Sequence, residues 1–284
     1  MSIQTVSIVG VGLIGGSFGL ALKKHGFPGR IVGVSSPATI EKALARGAID
    51  DSGSLKDAAA VSDLIFLATP VPQIIEDLPR IASFAKDGAI VTDVGSAKAA
   101  IVDTAMQVFH RKAVFIGGHP MAGKEGRGVE IAEADLFVNA VWALTPANPA
   151  VLELPAVQEF TALLGKIGAR LKVMGPSEHD RVVAWTSHLP QLLSTALARS
   201  VAEQVDETGR DVAGPGLRDM TRLAESPYEM WEGIIAANGR EIRRALDVFI
   251  DELDSIRSAL GTPEMEDAFR QAGEAARKIR KGRR

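Results

Sequence analysis

Residues 5–24 leave little choice of fold. A short β-branched run, Thr5-Val-Ser-Ile-Val9, passes directly into Gly10-Val-Gly12-Leu-Ile-Gly15-Gly16-Ser17 and then into a helix-period stretch through Lys24. A strand that turns at glycines straight into a helix is the dinucleotide-binding fingerprint in its required context. Gly10 makes the tight turn, Gly12 lets backbone approach a pyrophosphate, and Gly15 lets the helix pack closely on the strand. The main-chain N–H groups of Leu13 and Ile14, in the first helical turn, then face the phosphates with the positive end of the helix dipole.

Strand-like and helix-like segments alternate after that unit. Strands are expected at Arg30–Val34, Asp63–Thr69, Ala89–Asp93, Ala113–Ile116, Ala140–Leu144 and 170–174, with helices near 72–84, to about Phe109, and 151–165. Such alternation means a parallel sheet wrapped on both faces, an α/β doubly wound plan of Rossmann type. The second strand ends in Ser35-Ser36-Pro37, where an NAD-preferring site would carry Asp or Glu for the ribose 2′-hydroxyl. Two hydroxyls without a carboxylate favour NADP, with NAD still possible, and Arg30 is a candidate cation nearby. Thr69-Pro70 closes another strand on the same side.

The stretch Val114-Phe-Ile-Gly-Gly-His-Pro-Met-Ala-Gly-Lys-Glu-Gly126 stands out next. Gly117 and Gly118 remove side chains where the backbone must pass close to something, and Pro120 pins the chain after His119. A histidine so placed at a strand end can handle protons; the alternative is a turn histidine bonded to a carbonyl. In doubly wound sheets ligands bind beyond the strand carboxyl ends. Gly10–Gly15, Thr69, Pro70, Ser96 and His119 are therefore expected at one crevice.

After Gly175-Pro176 the pattern becomes entirely helical, so the expected division is 1–174 and 175–284. Leu246, Phe249, Ile250, Leu253 and Ile256 form a stripe suited to a core or a subunit contact. Arg218 and Arg222 follow the Ala213-Gly-Pro-Gly216 break four residues apart, as a carboxylate-binding pair would if both lie in one helix. The chain has no cysteine, which excludes thiolate chemistry and cysteine-held metals and suits the cytoplasm. A net charge of -3 offers nothing to nucleic acid or acidic membranes, and no metal site is expected. No signal peptide is read at the N-terminus, and the basic Arg277–Arg284 tail reads as a frayed, solvated end.

These residues together resemble the prephenate/arogenate dehydrogenases of tyrosine biosynthesis. The resemblance is carried by the fingerprint, Asp93-Val-Gly-Ser-Ala-Lys98, Gly117-Gly-His-Pro-Met-Ala-Gly-Lys-Glu125, Ser187-His-Leu-Pro190, Arg218-Asp-Met-Thr-Arg222 and Met230-Trp231. It implies a nucleotide-binding domain followed by an all-α helical domain that forms most of a homodimer. It implies His119 as the catalytic histidine, Ser96 as its hydrogen-bond partner and Arg222 as the binder of a substrate carboxylate. Glu125, Ser187 and Trp231 match active-site or gating positions. The implied reaction is oxidative decarboxylation of a small cyclohexadienol, with hydride passing to NAD(P).

Two departures bear on specificity. Gln191 stands where some prephenate-specific members carry a second histidine, near the substrate side chain. Ser35-Ser36 is closer to the NADP-using arogenate enzymes. Neither a preceding chorismate mutase segment nor a following regulatory domain is expected. A β-hydroxyacid dehydrogenase would place a catalytic lysine on a second-domain helix, but no lysine occurs between Gly175 and Lys278. A non-catalytic NADP-binding protein is the other alternative, set against the presence of His119, Ser96 and Arg222 together.

Overall fold

The computed structural model describes residues 3–109 and 112–281. Eight strands form one sheet: β1 (Thr5–Val9), β2 (Arg30–Val34), β3 (Asp51–Ser52), β4 (Leu64–Leu67), β5 (Ile90–Asp93), β6 (Val114–Pro120), β7 (Val141–Thr145) and β8 (Arg170–Val173). Their order is β3-β2-β1-β4-β5-β6-β7-β8. Between them run α1 (Leu13–Lys24), α2 (Pro37–Ala45), α3 (Leu55–Val61), α4 (Val71–Phe84), α5 (Ala99–Val108) and α6 (Pro155–Lys166).

Alternation along the central strands feeds two cores. Val6 and Ile8 of β1 and Leu64 and Phe66 of β4 pack with Phe18 of α1 and Phe160 of α6 on one face. Val9, Ile65 and Leu67 pack on the other face with Ile74 and Leu78 of α4 and Ile101 of α5. A period of two along the strand therefore buries both faces, as a sheet covered by helices on each side requires. Phe18 stacks on Phe66 with ring centroids 4.0 Å apart, and Trp142 of β7 closes against both.

The sheet is parallel except at one junction: β7 runs antiparallel to β6, then pairs parallel with β8. A wholly parallel sheet was expected, and the difference lies in the connection. Residues 121–140 contain one 3-10 turn, Val129–Ile131, and no helix to carry the chain back across the sheet, so β7 returns alongside β6. The first half of β6 pairs with β5 through Ile116, and the second half, Gly117–Pro120, pairs with β7. The glycine pair sits where the partner changes. A Cβ on Gly117 would come within 2.3 Å of Thr145 Oγ1, and one on Gly118 within 2.7 Å of the Asp93 carbonyl oxygen.

Past β8 the chain is helical: α7 (Pro176–Val183), a π-turn at Ala184–His188, α8 (Leu189–Gln204), α9 (Glu207–Arg210), α10 (Pro215–Thr221), α11 (Tyr228–Ala259) and α12 (Glu264–Lys281). By compactness the chain divides after Gly239, later than the change of texture at Gly175. The cause is local: α7 docks on the sheet, with Asp180 accepting the Lys98 and Ala99 N–H groups at the head of α5. α11 is kinked at Asn238 (φ -113°, ψ 18°). In residues 240–281, Ile250, Leu253, Ile256 and Phe269 are exposed. α12 carries the basic tail in helical form through Lys281; the last three residues lie outside the described ones. No helix among the described residues is long and apolar enough to cross a membrane.

Candidate active site

The fingerprint glycines separate by role. Gly10 has a φ of +89°, and a Cβ there would lie 2.7 Å from the Ala68 main chain at the end of β4. A Cβ on Gly15 would meet the Gly10 carbonyl oxygen at 2.1 Å, whereas one on Gly12 would meet nothing within 4 Å. Gly12 thus borders open space, and no side chain caps the start of α1. The first-turn N–H groups are left for a ligand, which fits a dinucleotide pyrophosphate.

Ile14, Thr69, Pro70, Val94 and Ser96 line one cleft of about 370 Å³ with Met230 and Gly233 of α11. A second, of about 770 Å³, is lined by Lys124, Glu125, Arg222 and Met230. A third, of about 440 Å³, opens beside Ser35 and has Glu41 and Ser52 on its wall. Met230 belongs to the first two, so these adjoin.

His119 is on the wall of neither. The half-buried ring turns its Nδ1 to His179 Nε2 at 2.9 Å, and His179 Nδ1 lies 2.9 Å from Asp180 Oδ1. Asp180 also accepts the main-chain N–H groups of Lys98 (2.6 Å) and Ala99 (2.8 Å). Burial alone would raise its carboxyl pKa, but the bonds from His179 and these two amides hold it below the usual value. The carboxylate fixes both imidazoles. His179 donates Nδ1–H to Asp180 and offers its Nε2 lone pair to His119, so His119 donates Nδ1–H and keeps its Nε2 lone pair free. Burial, followed by the electrostatic effect of His179, Lys98 and His188 nearby, holds His119 well below 6.5, in its neutral form at pH 7.

The hydrogen bond expected from Ser96 to His119 is not formed; His119 Nδ1 is joined to His179 instead. Ser96 faces the cleft instead. Arg222 meets Glu125 at 3.0 Å with both side chains exposed. Arg218 does not join it: α10 ends at Thr221, Arg222 begins a 3-10 turn, and Arg218 donates back to the Ala213 carbonyl at 3.0 Å. Gln191 is buried and donates to the Leu223 carbonyl at 2.8 Å, bracing the turn that carries Arg222. Ser187 is exposed on the π-turn. Trp231 stands edge-on to His188, ring centroids 5.9 Å apart. His188 in turn meets Asn238 Nδ2 at 3.2 Å, and the same amide holds the Asp180 carbonyl at 2.8 Å.

Ser36 caps α2 by accepting from Thr39 N–H at 3.4 Å, while Ser35 is exposed. Arg30 does not lie nearby as expected. It sits at the opposite end of β2, paired with Asp51. Sequence reasoning missed His179 and Asp180, whose only visible signal was a pair of polar residues in the first turns of a helix.

Comparison with known proteins gives the family. Residues 18–173 match the family model "Prephenate dehydrogenase, nucleotide-binding domain", and residues 175–273 match "Prephenate dehydrogenase, dimerization domain". The chain belongs to the prephenate dehydrogenase family. It is 37% identical to the prephenate dehydrogenase of Bacillus subtilis over 276 residues, 94% of this chain and 73% of that protein. Among solved structures, prephenate dehydrogenase from Aquifex aeolicus, in complex with hydroxyphenyl propionate and NAD+, has a TM-score of 0.90 at 29% identity, covering 98% of this chain and 99% of that one. Synechocystis arogenate dehydrogenase has a TM-score of 0.82 at 32% identity, covering 97% of this chain and all of that one.

Proposed function

We propose that this family member carries out oxidative decarboxylation of prephenate or arogenate in tyrosine biosynthesis, with His119 as the base. The observation that carries the reading is the Asp180–His179–His119 series, which leaves a neutral Nε2 lone pair for a substrate hydroxyl. A bound nicotinamide supplies the hydride acceptor. Hydride leaves the carbinol carbon, the ring–carboxylate bond breaks to release CO₂, and its electron pair completes the aromatic ring. The hydroxyl hydrogen remains in the phenol, so His119 polarises the O–H bond by accepting from it and ends the cycle neutral. Ser96 has a free hydroxyl on the cofactor-side cleft and serves orientation there. Arg222, with Lys124 on the same wall, binds a substrate carboxylate after exchanging its exposed contact with Glu125.

Gln191 is a neutral amide whose nitrogen donates to the Leu223 carbonyl, and it offers no cation to a keto-acid side chain. Both prephenate and arogenate are taken as substrates on that ground. NADP is preferred over NAD by less than about tenfold. The missing acid at Ser35 removes repulsion and its hydroxyl can donate to a 2′-phosphate, worth roughly 1.5–3 kcal/mol. Glu41 on the same wall offsets part of that. The working division is a nucleotide-binding part, 1–174, and a helical part, 175–284, that binds substrate and pairs two copies through its exposed apolar residues. The absence of cysteine suits a cytoplasmic enzyme.

The test is steady-state turnover of both substrates with both cofactors at one ionic strength. No turnover of either substrate by protein that still binds cofactor would sink the reaction. A tenfold or greater preference for NAD would sink the cofactor reading alone.

A further inference from the structure

Lys98 and Asp93 are both wholly buried and ion-paired, and neither lines the two adjoining clefts. Their place in the sheet is unusual. β5 pairs with β6 only as far as Thr92 opposite Ile116, and Gly118 lies beyond. A main-chain ladder would have satisfied Gly118 had β5 continued. Two side chains do so instead: Asp93 Oδ1 accepts the Gly118 N–H at 3.2 Å, and Lys98 Nζ donates to the Gly118 carbonyl at 2.8 Å. Asp93 Oδ2 also accepts the Gly95 N–H at 2.8 Å. A lysine held dry at this depth needs such partners, and an apolar side chain would fill the space without them.

Gly118 immediately precedes His119. We propose that Lys98 is a positioning residue for His119: with Asp93 it fixes the Gly118 peptide from which His119 projects. This rests on the reading of His119 as the base.

The charged and titratable groups around the histidine come from four elements. Lys98 stands at the head of α5, His179 and Asp180 on α7, His188 on the π-turn, and Asp93 at the end of β5. Burial comes first in lowering the His119 pKa, with His179, Lys98 and His188 adding to it, whereas burial also lowers the Lys98 pKa and Asp93 and Asp180 oppose that shift. The same lysine main chain donates to Asp180, so one residue touches both the peptide behind His119 and the carboxylate that orders its imidazole.

Lys98→Met keeps length and apolar bulk while removing the charge. Asp93→Asn combined with Lys98→Met removes both charges, in case the single variant leaves Asp93 stranded and unfolds. Two readings are taken on each: the His119 imidazole titration by NMR in cofactor-free protein, and kcat and KM across pH. The expected result is a His119 midpoint moved up by about half a pH unit or more, with the acid limb of kcat following it. kcat at pH 7 falls about ten- to a hundredfold, while KM for substrate and cofactor moves less than about threefold. A folded variant whose His119 titration and kcat match wild type overturns the proposal, as does a lowered Tm with both readings unchanged. The NMR titration needs no turnover, so failure of wild type to act on either substrate strikes the function reading separately.

Discussion

Replacing His179 with Phe tests the imidazole series most directly. The rings of His119 and His179 lie 5.1 Å apart between centroids at 63°, and Phe preserves that edge contact in nearly the same volume. What disappears is the bond to His119 Nδ1 and the bond to Asp180 Oδ1. The second is charge-assisted and buried, so stability should fall by roughly 1.5–3 kcal/mol, readable as a lower urea midpoint. The first is the tautomer lock. Without an acceptor at Nδ1, His119 is free to place its proton on Nε2, where it blocks the substrate hydroxyl, and free to turn. Losing half or more of the correct tautomer costs little by itself; losing orientation as well brings the expected fall in kcat to about ten- to a hundredfold, or 1.4–2.8 kcal/mol. His179 is also the second cause, after burial, of the low pKa of His119, so the acid limb of kcat should move up toward 6.5. Cofactor affinity should hold, because the open backbone at Gly12 is set by β1 and α1. The assay is kcat and kcat/KM from pH 5 to 9, with cofactor affinity measured in parallel. A variant with kcat within twofold of wild type and an unmoved acid limb would refute the series as a working unit.

Two further outcomes follow from groups already described. Arg222→Ala should raise substrate KM by about five- to thirtyfold with kcat nearly constant, a moderate effect because the guanidinium is exposed rather than sealed in; an unchanged KM would move carboxylate binding to Lys124 or elsewhere. Acid should destabilise the fold before the carboxylates titrate: burial lowers His188 to about 4, so between pH 6.5 and that value the unfolded chain binds the extra proton. Stability should therefore drop by about 2 kcal/mol from pH 7 to pH 5, with His119 adding in the same direction; a flat profile over that window in urea titrations would contradict the burial of His188.

The sheet was legible where a strong local signal coincided with the element it predicts. The β1–Gly10–α1 unit and the strands ending at Val34 and Asp93 are where alternation and turn residues put them. Strand direction was not legible, since an apolar run such as Val141–Thr145 reads the same either way, and only the missing crossover helix before it reverses β7. The site was half legible. His119 and its glycines announce themselves within a few residues, because close backbone approach is a local demand. His179 and Asp180 stand 60 or more positions away and look like ordinary helix-start residues. Lys98 looked like one more residue of a motif until burial revealed it, since sequence does not say which lysine goes inside. Ser96 lines a cleft with Thr69 and Pro70 but does not make the bond expected of it, and Arg30 was misplaced because a strand of five residues has two distant ends.

The three fingerprint glycines also carry different kinds of selective pressure. Gly10 and Gly15 are held by the chain itself, through a positive φ and a 2.1 Å approach, so a library sorted only for folded protein should already return glycine there. Gly12 has open space where its side chain would be, and the same library should drift freely at that position. Sorting for turnover should then restore it. One round of each screen would separate what the polypeptide asks of its own sequence from what the dinucleotide asks of it.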